Sequence, residues 1–417
     1  MPAGPVSRRK LLLYGLGTAT AAGAGAFGYR AWVKRRRAAG VATRVADRAG
    51  YVSPGAVVTQ RRRLGRTGLE VSVVAMGAGG LDGTDPIHRA VDKGMNYIDT
   101  SPCYGGSENV IGTAIAESPG LRDKLVLATK WDASAHMKKD RILASLDESL
   151  KRLKTDHVDV MQIHWLGGGH LPDDDGYNRV DNPELYEAMA AAKQAGKARF
   201  FGATSHDGLR SKILRHAIDK GAFDMILVKL NVLDHGFADM PALLAAAKAK
   251  DVGVVVMKSQ PGGGYIPRGF EQSKWSIYQA NLRWALGLDV ACVVHSGIGS
   301  SPDTQDLAIG AVEDSLGSQD THLLDRYAEA LSPEYCRGCG QICQPACPEG
   351  VSIAPVLQFG MYDRQYGWGE YARGLYEALP AAKRWSETCL DCDACRTACP
   401  FGVDAPARVN DAKKRLG

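Results

Sequence analysis

Eight of the ten cysteines in this 417-residue chain lie at or beyond Cys336, in two runs that each close on Cys-Pro, CRGCGQICQPACP and CLDCDACRTACP. Thiolates so closely spaced are ligands for soft metals, and two four-cysteine runs are far more specific than a lone CxxC. The second run is Cys389, Cys392, Cys395 and Cys399. Its CxxCxxCxxxCP spacing grips one [4Fe–4S] cube with three thiolates and sends the fourth to another. The first run, Cys336, Cys339, Cys343 and Cys347, carries one extra residue between its second and third cysteines. Structural zinc, which also uses paired CxxC knuckles, and disulfides of an exported protein are the alternatives. Iron–sulfur ligation would commit the chain to one-electron transfers.

The spacing resembles that of dicluster ferredoxins. The resemblance implies two [4Fe–4S] clusters with crossed ligation: Cys336, Cys339 and Cys343 with Cys399, and Cys389, Cys392 and Cys395 with Cys347. Residues 350–385 would then be a largely helical connector.

A second set of reactive side chains lies upstream, and the elements that carry it repeat eight times. Strand candidates are Val71–Met76, Met95–Thr100, Lys124–Lys130, Val158–His164, Ala198–Ala203, Asp224–Leu230, Val252–Lys258 and Val290–His295. Between them lie segments of helical period, such as Asp140–Leu153, with Ile142, Leu143, Leu146, Leu150 and Leu153 on one face, and Asp239–Lys250. Eight βα units in a stretch of this length predict an α/β fold, a (β/α)8 TIM barrel over residues 61–318, followed by a small, mainly helical iron–sulfur domain over 319–417. A doubly wound open sheet would want GxGxxG after its first strand, and Gly77-Ala78-Gly79-Gly80 does not supply it.

Barrel chemistry sits at the carboxyl ends of the strands, where Asp99, Tyr104, Lys130 and His164 converge in this reading. Reducing a carbonyl leaves negative charge on oxygen, so a proton donor is needed. Tyr104 would serve if a neighbouring Lys130 ammonium lowered its pKa, with Asp99 holding that ammonium and His164 orienting the substrate oxygen. Taken singly, each residue is as readily structural as catalytic. IDTSPCYGGSENVIG, LATKW, SLKRLKTDHVDVMQIHW, AGKARFFGATSH and VVVMKS together resemble the aldo-keto reductase family over about 250 residues.

The resemblance implies NADPH or NADH across the rim, with Ser205, His206, Asn231 and Lys258 as contacts and a small carbonyl or alcohol as substrate. Leu227 stands where the family commonly has Gln. After the eighth strand, HSGIGSSPDTQDLAIGAVED offers no Lys, Arg or Asn for an adenosine 2′-phosphate. His164–Asn182 is long enough for a lid, and Trp131, Trp165 and Tyr177 would line an aromatic wall.

The net charge of +5 owes much to Arg8–Lys10, Lys34–Arg37 and Arg61–Arg63, so it gives no nucleic-acid surface. SRRKLLL followed by a moderately apolar stretch resembles a twin-arginine export signal over residues 1–40, with 41–60 as linker. That reading puts the body in the periplasm or cell envelope. Leu11–Val33 is also long enough for an uncleaved membrane anchor, and Lys34–Arg37 beyond it would instead hold the body in the cytoplasm. A membrane electron carrier is the expected redox partner, and an electron-transfer protein with an inert barrel is the alternative function.

Overall fold

The computed structural model describes residues 53, 55–167, 176–234, 239–295, 298, 302–367 and 369–417. The export signal, residues 168–175 of the expected lid and the start of the segment after the last strand lie outside these residues.

Runs such as VLATKW and VDVMQI have no polar face, which suits strands covered on both sides. They form β5 (Val126–Trp131) and β6 (Val158–Ile163), buried at every position. With β3 (Val74–Gly77), β4 (Tyr97–Asp99), β7 (Ala198–Ser205), β8 (Met225–Lys229), β9 (Gly253–Met257) and β10 (Cys292–His295) they close an eight-stranded barrel. Every pairing is parallel, and β10 returns to β3 through Val293 opposite Val74.

The first expected strand, Val71–Met76, is two elements. β2 (Glu70–Ser72) pairs antiparallel with β1 (Arg61–Arg63), and only β3 belongs to the barrel. The break has a local cause. The Ser72 amide donates to the Asn96 side chain at 2.7 Å and the Ser72 hydroxyl to the Val74 carbonyl at 2.8 Å, which diverts them from a continuous ladder. The hairpin puts Leu64 into the interior cluster with Val71, Val126 and Val255. Its turn passes so near β9 that a Cβ on Gly65 would lie 2.2 Å from the Gly253 nitrogen.

The helix Lys139–Leu153 buries Ile142, Leu146, Leu150 and Leu153, whereas Leu143 is only half-buried. Pro183 opens Pro183–Gln194, capped by Asn182, whose side chain accepts from the Glu184 amide at 3.1 Å.

The chain divides into two compact units, Leu233–Met240 with Glu329–Gly417 forming one and the barrel with Pro241–Ala328 the other. The division falls inside the helix Ser318–Leu331, because its early turns belong to the barrel: Asp320 pairs with Arg283 at 3.0 Å and the Tyr327 hydroxyl donates to the Tyr265 carbonyl. The tail packs Ile353–Tyr366, Gly369–Ala378 and Ala405–Leu416 around Val356, Leu357, Tyr376, Val409 and Ala412. Among the described residues no helix is long and apolar enough to cross a membrane.

Candidate active site and cluster sites

Alternation along the strands decides what faces the barrel axis. On β5, Val126 and Ala128 are interior, so Lys130 at the strand's end is too; on β6, Val160 leads to Gln162 and then His164. Lys130 lies opposite Gln162 in register, and Tyr97 on β4 brings Asp99 to the same rim. Thr129 points the other way and donates to the buried Glu108 at 2.5 Å; Glu108 also takes Arg152 at 2.7 Å. That pair fixes the helix Ser107–Glu117, and with it the loop bearing Tyr104. Gly105 and Gly106, at φ 57° and 87°, supply the left-handed turn that joins Tyr104 to this helix.

Lys130 is 1% exposed and donates to Asp99 at 2.6 Å and to the Thr100 carbonyl at 2.7 Å; its remaining proton faces the Tyr104 hydroxyl. The ammonium lies 4.8 Å from the Tyr104 ring centre. Burial opposes the Lys130 charge, but Asp99 and Tyr104 more than offset it and raise its pKa. The second Asp99 oxygen accepts from Gln162 at 2.8 Å.

Tyr104 departs from expectation. Burial pushes its pKa up to about 12, outweighing the downward pull of Lys130, while Asp99 adds to the rise. The phenol is therefore a proton-bearing donor at any ordinary pH. It remains a competent acid toward an alkoxide, which is far more basic.

His164 is 1% exposed, and burial drives its pKa down to about 4. Its Nδ1 faces Asp132 at 3.2 Å, Ser101 Oγ at 3.4 Å and Cys103 Sγ at 3.9 Å. Its Nε2 is buried without a hydrogen-bond partner. Trp165, left-handed at φ 52°, lays its ring 4.2 Å from the imidazole, and Tyr104 meets it edge-on at 5.9 Å. Trp131 instead stacks on Phe201 at 6.1 Å and is 2% exposed, so it packs the barrel and forms no wall. Tyr177 sits edge-on to His216 at 5.2 Å.

Sequence reasoning missed Gln162, Asp132 and Glu108. Gln162 had a signal, since it shares strand parity with His164; Asp132 had only its place after Trp131.

The expected nicotinamide contacts lie at or just beyond the carboxyl ends of β7, β8 and β9. Ser205 is fully buried and donates to the Leu166 carbonyl at 2.7 Å; Asn231 donates to the Lys258 carbonyl at 3.3 Å; Leu227 belongs to the apolar interior. His206 is half-buried, 6.4 Å from Trp165, and Lys258 is held left-handed at φ 55°.

In the tail, Cys336, Cys339, Cys343, Cys399 and Cys395 line one cavity together with Phe401. Cys389, Cys392, Cys395 and Cys347 line another, so that Cys395 borders both. The extra residue of the first run is taken up by the short helix Gly340–Cys343. Burial, with Cys336 and Cys399 nearby, pushes Cys343 up to about 12; burial and Cys347 push Cys395 up to about 11. Such thiols ionise only against a cation, and the Gly338 amide already donates to Cys336 Sγ at 3.4 Å. Both cavities fit an iron–sulfur donor set. Among the described residues no three such side chains converge as the ligands of a single ion do.

Residues 82–296 match the aldo/keto reductase family, and residues 335–403 match a 4Fe-4S dicluster domain. L-galactose dehydrogenase of Arabidopsis thaliana is 34% identical over 46% of this chain and 63% of its own length. The aldo-keto reductase YhdN of Bacillus subtilis is 35% identical over 33% and 45%. The match thus spans between about half and two thirds of these relatives. A thermostable aldo-keto reductase, Tm1743, solved with epalrestat, shares 26% identity and a TM-score of 0.51, covering 64% of this chain and all of that one.

Proposed function

The chain belongs to the aldo/keto reductase family, and on that premise we propose that it interconverts a carbonyl and an alcohol at the barrel rim, with Tyr104 moving the proton. The observation that carries this reading is the buried Asp99–Lys130 pair set against the Tyr104 hydroxyl beside His164. Lys130 stabilises the phenolate left after proton donation, Asp99 and Gln162 hold Lys130 in place, and the low-dielectric floor strengthens each contact. Relatives named for L-galactose, 6-dehydroglucose and methylglyoxal favour a small oxygenated substrate.

The tail, on this reading, holds two [4Fe–4S] clusters in crossed ligation and relays single electrons to or from a redox partner. A nicotinamide dinucleotide is the family's usual hydride carrier. Ser205, His206, Asn231 and Lys258, at or just beyond the ends of β7, β8 and β9, would hold it, and it would supply the hydride that a carbonyl needs beside the Tyr104 proton. SRRKLLL supports export of the folded, cluster-bearing protein; replacing Arg8 and Arg9 by Lys should retain it in the cytoplasm, and unchanged localisation would refute that part.

The test of the whole reading is reduction of the isolated holo-protein by NADPH, NADH and a quinol analogue. It is followed at cluster absorbance while small aldehydes and alcohols are offered. Substrate-dependent turnover with at least one donor is expected; none with any pairing would contradict it.

A further inference from the structure

The two cysteine runs differ at the residue that follows their first cysteine, Arg337 in one and Leu390 in the other. Leu390 is 64% exposed, whereas Arg337 is 1% exposed and among the largest fully buried side chains. A guanidinium cannot shed its proton, so burying it keeps a full positive charge inside the tail. Its place is set by the turn Ser332–Glu334: Nη1 donates to the Ser332 and Tyr335 carbonyls at 2.8 and 2.7 Å, and Nη2 to the Ser332 hydroxyl at 2.8 Å. The guanidinium carbon lies 4.2 Å from the centre of the Phe401 ring, and Phe401 lines the cavity of Cys336, Cys339, Cys343 and Cys399. Among the described residues, Arg337 is the one charged residue lining that cavity. At the other cavity the charged residue is Glu349, whose carboxylate accepts from the Thr388 hydroxyl at 3.2 Å, next to Cys389.

We propose that Arg337 makes the cluster of Cys336, Cys339, Cys343 and Cys399 the first to be reduced, with the cluster of Cys389, Cys392, Cys395 and Cys347 reduced after it. This rests on the reading of the tail as two cubes in crossed ligation, and it orders them. Each cube accepts one electron and gains one negative charge, with no bond made or broken, so a nearby cation raises its potential and a nearby anion lowers it. Solvent access, another cause of a gap, is nearly matched: three thiols of the first set and all four of the second are half-buried. The one buried thiol, Cys339, opposes the order, since less water reaches its cube, and a whole buried charge outweighs it. Glu349 is exposed and screened by salt, whereas Arg337 acts through a low-dielectric interior. Arg337 therefore sets the order, and Glu349 adds to it. An electron that arrives on the second cube passes to the first, the second being oxidised by one electron as the first is reduced by one. Arg337 is no ligand and acts on its cluster through its charge.

The test is a redox titration of the full-length holo-protein with dithionite, read by electron paramagnetic resonance on samples carrying about eight irons per chain. Cys399→Ser, which perturbs the first cluster, and Cys347→Ser, which perturbs the second, assign the signals. In wild type the first electron should favour the first cluster on the order of tenfold, a gap of about 59 mV for a one-electron couple. Arg337→Gln, which keeps hydrogen-bond donors and removes the charge, should lower the first cluster's potential and abolish that preference, and Arg337→Lys should restore most of it. Glu349→Gln should raise only the second cluster's potential, and by less. A first electron shared evenly or held by the second cluster in wild type would overturn the proposal, as would an Arg337→Gln titration like that of wild type at full iron content. Should Arg337→Gln bind fewer irons, Arg337→Lys decides in its place: the wild-type order at full iron content supports the proposal, and loss of the order overturns it. Fewer irons in wild type itself would strike the two-cluster reading, and this inference with it.

Discussion

At the scale of single residues, the rim is a set of buried polar groups each made tolerable by the next. Lys130 and Asp99 are 1% and 3% exposed, so removing one partner leaves the other charged and unpaired in the interior. Lys130→Met should therefore destabilise the barrel by about 3–5 kcal/mol, and adding Asp99→Leu should restore much of the loss; chemical unfolding of both variants measures it. Burial holds the His164 pKa near 4, below its value of roughly 6.5 in an unfolded chain. Between those values the unfolded state takes up the proton and the folded state does not, so stability falls as pH drops from about 6.5 to about 4. The loss from His164 should approach about 3 kcal/mol, and His164→Gln should remove that share of the slope while leaving the share of His295, which burial likewise holds near 4. Asp99, Tyr104, Lys130 and His164 were legible because chemistry at strand ends leaves few polar residue types. The direction of the Tyr104 shift was not, because it depends on how much water reaches the hydroxyl. That is a property of packing, which a one-dimensional string does not carry.

At the scale of elements, period and length made the eight βα units readable, and strand ends came out within a few residues of those expected. The hairpin before β3 was hidden because RRRLGRTGLEVS pairs charged and apolar residues across a turn, a pattern without strict alternation. Its register also rests on Asn96, far along the chain. The helix Ser107–Glu117 meets Lys139–Leu153 so tightly that a Cβ on Gly112 would lie 2.1 Å from the Arg152 carbonyl oxygen. Gly112→Ala should force the helices apart and move the Tyr104 loop. Stability should fall by about 1–3 kcal/mol and turnover with it. Unchanged melting and activity would show that the contact does not position the loop.

At the scale of the whole molecule, the tail was the most legible part, since cysteine spacing is itself the ligand geometry. What the spacing left open was the irregular first run, and its extra residue is accommodated in a short helix without displacing Cys343 from the cavity. Holo-protein should contain eight irons per chain, and crossed ligation makes a sharper statement. Cys399→Ser should damage the cluster of Cys336, Cys339 and Cys343, and Cys347→Ser that of Cys389, Cys392 and Cys395. Electron paramagnetic resonance of the reduced variants would distinguish the two. The lone replacement of either residue damaging its own run's cluster would mean uncrossed ligation.

The central claim is that the barrel rim performs proton-coupled carbonyl–alcohol chemistry through Tyr104. The most direct measurement is turnover by Tyr104→Phe, with both clusters intact by absorbance, using whichever donor and substrate drive the wild type. The phenol's proton is the only feature removed, so the rate should fall by roughly 10²- to 10⁴-fold while the fold and iron content stay unchanged. Turnover equal to wild type would contradict the account.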